Sequence, residues 1–97
     1  PMIRHVVLFK HKPTVTQEER DAWIASALAM APRIPYVHNL TAGYDLIRSA
    51  RAYDVALVCD FETLDDVRRY ADDPVHVPVA TRGREMSDHI CSVDFEM

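Results

Sequence analysis

Two groups able to hold and move a proton flank the turn in Tyr70-Ala71-Asp72-Asp73-Pro74-Val75-His76. A tyrosine in the last turn of an amphipathic helix normally buries its ring and keeps its hydroxyl for a partner. A histidine just past Asp-Pro stands where regular structure is interrupted. Such a pair can line a pocket. A neutral imidazole, with a reference pKa of about 6.5, accepts a proton at physiological pH, and a tyrosine hydroxyl can donate a hydrogen bond to a carbonyl oxygen. A proton acceptor beside a hydrogen-bond donor is what these residue types offer. Spacing alone also fits a core aromatic followed by a polar turn residue, so the surrounding elements must decide.

The remaining reactive side chains point to less. His11, His38 and His89 have no compact metal-ligand spacing and are assigned to surface or strand-end positions, so neither a metal nor a cofactor is expected. Asp72 and Asp73 could hold a hard cation with a loop carbonyl, but a capping Asp73 and a solvated Asp72 explain them as well. Cys59 and Cys91 are too few for a disulfide framework and fall in apparent strands. Pro1 could act as a basic amine, yet it reads as a remnant ahead of a natural start at Met2. The net charge of −4, with 15 acidic against 11 Lys and Arg side chains, disfavours nucleic acid. No run approaches the roughly 20 apolar residues that span a bilayer, and no signal peptide is recognised, so a cytoplasmic protein without membrane partners is expected. Ninety-seven residues, 48% of them hydrophobic, support a single domain over residues 2–97.

The elements follow from periodicity. Residues 3–12 read as a strand with Ile3, His5, Val7 and Phe9 on one face and Arg4, Val6, Leu8 and Lys10 on the other, so both faces carry an apolar centre and both should be covered. Thr16-Gln17-Glu18-Glu19 has the form of a capping box. Trp23, Ile24, Ala27, Leu28 and Ala31 then recur at helical spacing until Pro32 and Pro35 prevent continuation. A strand is expected at 36–44, with Gly43 marking a bend, then a loop at 45–52 and a strand at 53–62. Thr63 caps a second helix whose buried stripe is Leu64, Val67, Tyr70 and Ala71. Asp73-Pro74 and Pro78 break it, leaving His76 on an irregular corner. A short helix over 78–86 and a strand over 87–96 complete the chain. This βαββαβ order is the ferredoxin-like arrangement, an α+β fold with helices on one sheet face. The opposite face, apolar at Val6, Leu8, Ala56 and Val58, calls for a second copy, hence a two-fold homodimer.

The opening MIRHVVLFKHK, the middle RAYDVALVCDFETLDDVRRYADDPVH and the ending VDFEM together resemble the stress-responsive α/β-barrel (Dabb) family over nearly the whole chain. The resemblance implies a dimeric α+β barrel of ferredoxin-like protomers. It also implies, by likeness to the family's plant polyketide (olivetolic acid) cyclase branch, a pocket between sheet and helices at which His5, Tyr70 and His76 meet. The chain departs from the family pattern at Asp73, where a His before the Pro is common, and from the cyclase branch at Val55, where that cyclase has a His.

On this resemblance His76 is the expected base for an aldol cyclisation, Tyr70 the group that orients the carbonyl and stabilises the oxyanion, and His5 a supporting polar contact. Val7, Phe9, Trp23, Leu57 and Val67 would form apolar walls, with Ala27 leaving space for a small aromatic or polyketide-like ligand. Three classes stay open: a cofactor-independent cyclase or isomerase, a non-catalytic binding protein with the same cavity, and a structural stress oligomer whose Trp23 and Tyr70 fill a dry core. A monooxygenase of the dimeric α+β barrel type is a remote fourth.

Overall fold

The computed structural model describes residues 2–97, so the expectation about Pro1 lies outside them. The elements are β1 (Ile3–His11), α1 (Gln17–Leu28), a 3-10 turn (Ala31–Arg33), β2 (His38–Tyr44), β3 (Val55–Phe61), α2 (Leu64–Ala71), α3 (His76–Glu85) and β4 (Ser87–Glu96). The strands form one sheet in the order β2-β3-β1-β4 with every neighbouring pair antiparallel. The fold is ferredoxin-like, with the helices on one face.

Local sequence explains where the helices begin. At α1 the capping box is complete: Thr16 Oγ1 accepts from the Glu19 amide at 3.1 Å while Glu19 Oε1 accepts from the Thr16 amide at 2.9 Å. Thr63 caps α2 by accepting from the Asp66 amide at 3.1 Å. The apolar stripes are narrower than periodicity predicts. Trp23 and Ala27 of α1 are buried but Leu28 is 41% exposed, and on α2 Tyr70 is buried while Leu64 is 51% exposed. Each short helix reaches the sheet through one large aromatic.

The third helix corrects a sequence expectation. His76 is not on an irregular corner; it is the first residue of α3. Asp73 starts that helix, because its Oδ1 accepts from the Val75 amide at 2.8 Å and its backbone carbonyl from the Val77 amide at 2.9 Å. Pro78 lies in the first turn, where backbone N–H groups have no intrahelical partner, so its missing donor breaks nothing. Farther along α3, a Cβ on Gly83 would stand 3.2 Å from Phe9 Cε2 and 3.3 Å from Trp23 Nε1. The absent side chain lets α3 lie directly on that aromatic pair.

On the helix-covered face, β1 and β3 place Ile3 opposite Phe61, His5 opposite Cys59, Val7 opposite Leu57 and Phe9 opposite Val55. Phe9, Val55, Leu57, Cys59 and Phe61 pack with Trp23, Met30, Ile34, Tyr70 and Met86 into one core, against which Val7 packs. His11 stands at the end of β1, as expected of a strand-end residue, and is buried there at 6% exposure, with Arg20 Nε donating to its Nδ1 at 3.1 Å. Burial and the neighbouring Arg20 lower its pKa. The other sheet face keeps a charge network. Arg4 donates twice to Asp60, at 2.8 and 3.1 Å, and Asn39, held at φ 53, adds a bond at 2.9 Å to the same carboxylate.

Candidate functional site

Three elements bring His5, Tyr70 and His76 together. The Tyr70 ring, at the C-terminal end of α2, stacks on the His76 imidazole with centroids 3.7 Å apart and planes 29° apart. The His5 ring meets Tyr70 edge-on at 5.9 Å, and Phe61 supports both rings from the core, 5.1 Å from Tyr70 and 6.0 Å from His5. The turn joining α2 to α3 is fixed from outside by Tyr36, whose hydroxyl donates to Asp73 Oδ2 at 2.8 Å while the Arg69 guanidinium lies 4.0 Å above its ring. Val75 and Tyr36 together hold the Asp73 carboxyl below its ordinary pKa.

The polar groups are unequally partnered. His5 Nδ1 lies 2.5 Å from Asp94 Oδ1, because the antiparallel register of β1 and β4 sets Asp94 opposite His5. His76 Nδ1 is buried and has no hydrogen-bond partner. Burial lowers the His76 pKa; the backbone of Tyr70 and Ala71 opposes the shift without reaching hydrogen-bond geometry, and the His5 charge adds to it. Burial pushes the Tyr70 hydroxyl up, so it stays protonated through the physiological range. Beneath the site, burial pushes the Cys59 thiol up to about 12, which makes it inert as a nucleophile.

These side chains stand at one end of a cavity of about 280 Å³ between α3 and the β1–β4 edge of the sheet, with walls that are mainly apolar. Val7, Phe9, Trp23 and Leu57 line it. Ala27 and Val67 do not: Ala27 is sealed in the core at 0% exposure, and Val67 is half-buried on α2, which contributes only its terminal Tyr70 to the cavity. Met30, Val79, Ala80, Arg84, Ile90 and Ser92 complete the lining. Ala80 and Arg84 follow His76 at four-residue steps, one face of a helix. Among the described residues no group of three or more His, Cys, Asp or Glu side chains is placed to hold a metal ion.

The sequence pattern of the stress responsive A/B barrel domain, Dabb, matches residues 3–97. The chain belongs to the Dabb family. Solved structures agree with that assignment. A dimeric ferredoxin-like protein of unknown function from Thermobifida fusca is 31% identical, with a TM-score of 0.90 over 99% of this chain and 91% of its own. A dimeric protein of unknown function from Bacteroides fragilis, also ferredoxin-like, is 28% identical, with a TM-score of 0.86 over 99% and 96%. The hydroxynitrile lyase of Passiflora edulis has a TM-score of 0.89 over 99% and 93%, but at 19% identity the likeness is one of fold. No curated protein matches.

In this Dabb chain Asp73 and Val55 lie off the cavity lining. Asp73 tethers the α2–α3 turn, and Val55 is 2% exposed in the core beside Phe9. No helix of the chain is long and apolar enough to cross a membrane.

Proposed function

We propose that this Dabb domain is a cofactor-independent acid–base catalyst that takes a small aromatic or polyketide-like carbonyl compound and cyclises or isomerises it. The supporting observation is the unequal treatment of two histidines around one tyrosine. Asp94 faces His5 Nδ1, whereas His76 Nδ1 has no hydrogen-bond partner among the described residues. Burial keeps His76 neutral and able to accept a proton from the carbon beside a carbonyl. Tyr70, held protonated and free of any hydrogen bond to the described residues, donates to the oxygen on which charge develops. His5, hydrogen-bonded to Asp94, can carry a proton to or from the intermediate. The structural-oligomer alternative, with Trp23 and Tyr70 filling a dry core, leaves the cavity beside them unexplained.

Hydrogen–deuterium exchange beside the carbonyl of a panel of aryl ketones, followed by proton NMR, tests the first step without knowledge of the product. The native chain should catalyse exchange for at least one ketone class. His76→Ala and Tyr70→Phe should each slow it about 10²-fold or more. Unchanged exchange in both variants would refute the acid–base reading.

The reading places the site in each protomer of a homodimer. The relatives from Thermobifida and Bacteroides are dimeric. The sheet face away from the helices leaves Val93 61% and Phe95 46% exposed beside the half-buried Val6 and Leu8, an apolar surface suited to a second copy. Sedimentation equilibrium should give a dimer mass for the native chain and a monomer mass for Val93→Glu. A variant that stays dimeric would move the interface elsewhere.

A further inference from the structure

The cavity is lined by one fixed positive charge and by no carboxylate. Arg84, in the last turn of α3, is the only Arg or Lys among its lining residues, and the walls between it and the histidines are mostly apolar. Its guanidinium is uncommitted: Nη2 donates to Thr81 Oγ1 at 3.2 Å and no carboxylate of the described residues pairs with it, whereas Arg4, Arg48, Arg68 and Arg82 each carry an ion pair.

Two rulers set the backbone position of Arg84 apart from those of the proton-transfer residues. Along α3 the step from His76 to Arg84 is roughly 12 Å at the helical rise. Along β1 the step from His5 to Phe9, the side chain that packs against α3 at Gly83 beside Arg84, is about 13 Å at the strand rise. The cavity is therefore a slot with the acid–base residues rooted at one end and Arg84 rooted toward the other. Tyr70 is buried and Arg84 exposed, so the charged end lies toward water.

We infer that the ligand is an elongated apolar carbonyl compound ending in a carboxylate, with Arg84 holding the carboxylate and the reacting carbonyl reaching Tyr70, His76 and His5. This rests on the small-ligand reading of the same cavity and adds a ligand class to it. An apolar slot with a single cation favours a monoanion, because the paired charges remain near water while the chain is buried. It also sets the register of the substrate, since an anchor at one end fixes which carbon meets the base.

The probes are ω-benzoyloctanoate, its primary amide and the shorter β-benzoylpropionate, and the readout is the fluorescence of Trp23, the single tryptophan, which lines the slot. The native chain should bind the long acid about 10-fold or more tightly than its amide. Arg84→Gln, a change at an exposed position, should erase that margin, weakening the acid far more than the amide. Equal affinity of acid and amide for the native chain overturns the anchoring role while leaving the pocket reading intact. A short acid that binds as tightly as the long one overturns the spacing. Failure of every probe to bind overturns both the anchoring role and the small-ligand reading.

Discussion

Asp94→Asn should lower acid–base turnover about 10²- to 10³-fold while leaving the fold and ligand affinity nearly unchanged. In the native chain Asp94 Oδ1 stands 2.5 Å from His5 Nδ1. A carboxylate there accepts only, so it holds the proton on Nδ1 and leaves Nε2 as the exchanging nitrogen. An amide can instead present its N–H₂ to Nδ1 and stabilise the opposite tautomer. Asp94 is a positioning residue, and a merely structural role would not move the tautomer. Nitrogen-15 spectra of the imidazoles should show His5 changing tautomer in Asp94→Asn, with Asp94→Glu restoring part of both the signal and the rate. If Asp94→Asn slows turnover without altering the His5 spectrum, the positioning role is wrong. If it does neither, His5 has no part in the reaction.

Asp94 also marks where sequence reading stops. Strand alternation put His5 on the same face as Val7 and Phe9, and the fold class followed from element order, because periodicity and capping residues act over a few positions. Pairing His5 with Asp94 requires the register between β1 and the last strand, set by long-range packing rather than by local pattern. The burial of His11 depended on a partner, Arg20, supplied by another element. His76 was misplaced for a different reason. Pro78 was read as a helix breaker, although proline in a first turn is harmless and Asp73 caps the turn before it. With α3 begun at His76, the four-residue steps to Ala80 and Arg84 would have been legible from sequence alone. The resemblance led to Ala27 and Val67 being expected at the cavity, and each shares a helical stripe with a residue that does line it, Trp23 or Tyr70. A stripe identifies what is buried; it does not separate a residue sealed in the core from one facing an opening, as the 0% exposure of Ala27 illustrates.

The same distinction gives His76 an energetic signature. A buried imidazole whose Nδ1 lacks a partner costs stability, and such costs are tolerated where a group serves chemistry. His76→Phe keeps an aromatic ring against Tyr70 and removes the unpaired nitrogen. It should raise stability by about 1 kcal/mol in urea unfolding near neutral pH and abolish acid–base turnover. The pH dependence provides an independent check. Since burial lowers the His76 pKa from its reference of 6.5, the unfolded chain binds the proton before the folded chain does. Native stability is therefore full above about pH 6.5 and falls as pH drops from there through the folded-state pKa. His76→Phe should flatten that part of the profile. A residual slope should remain from His11, whose pKa burial and Arg20 also lower, and a later fall should follow at lower pH as Asp54, Asp60 and Asp73, all held below their ordinary values, take up protons. A variant less stable than the native chain at neutral pH would mean that the imidazole has a partner it needs. An unaltered slope below pH 6.5 would mean that His76 does not titrate as a buried group, and the base role assigned to it would fall with that result.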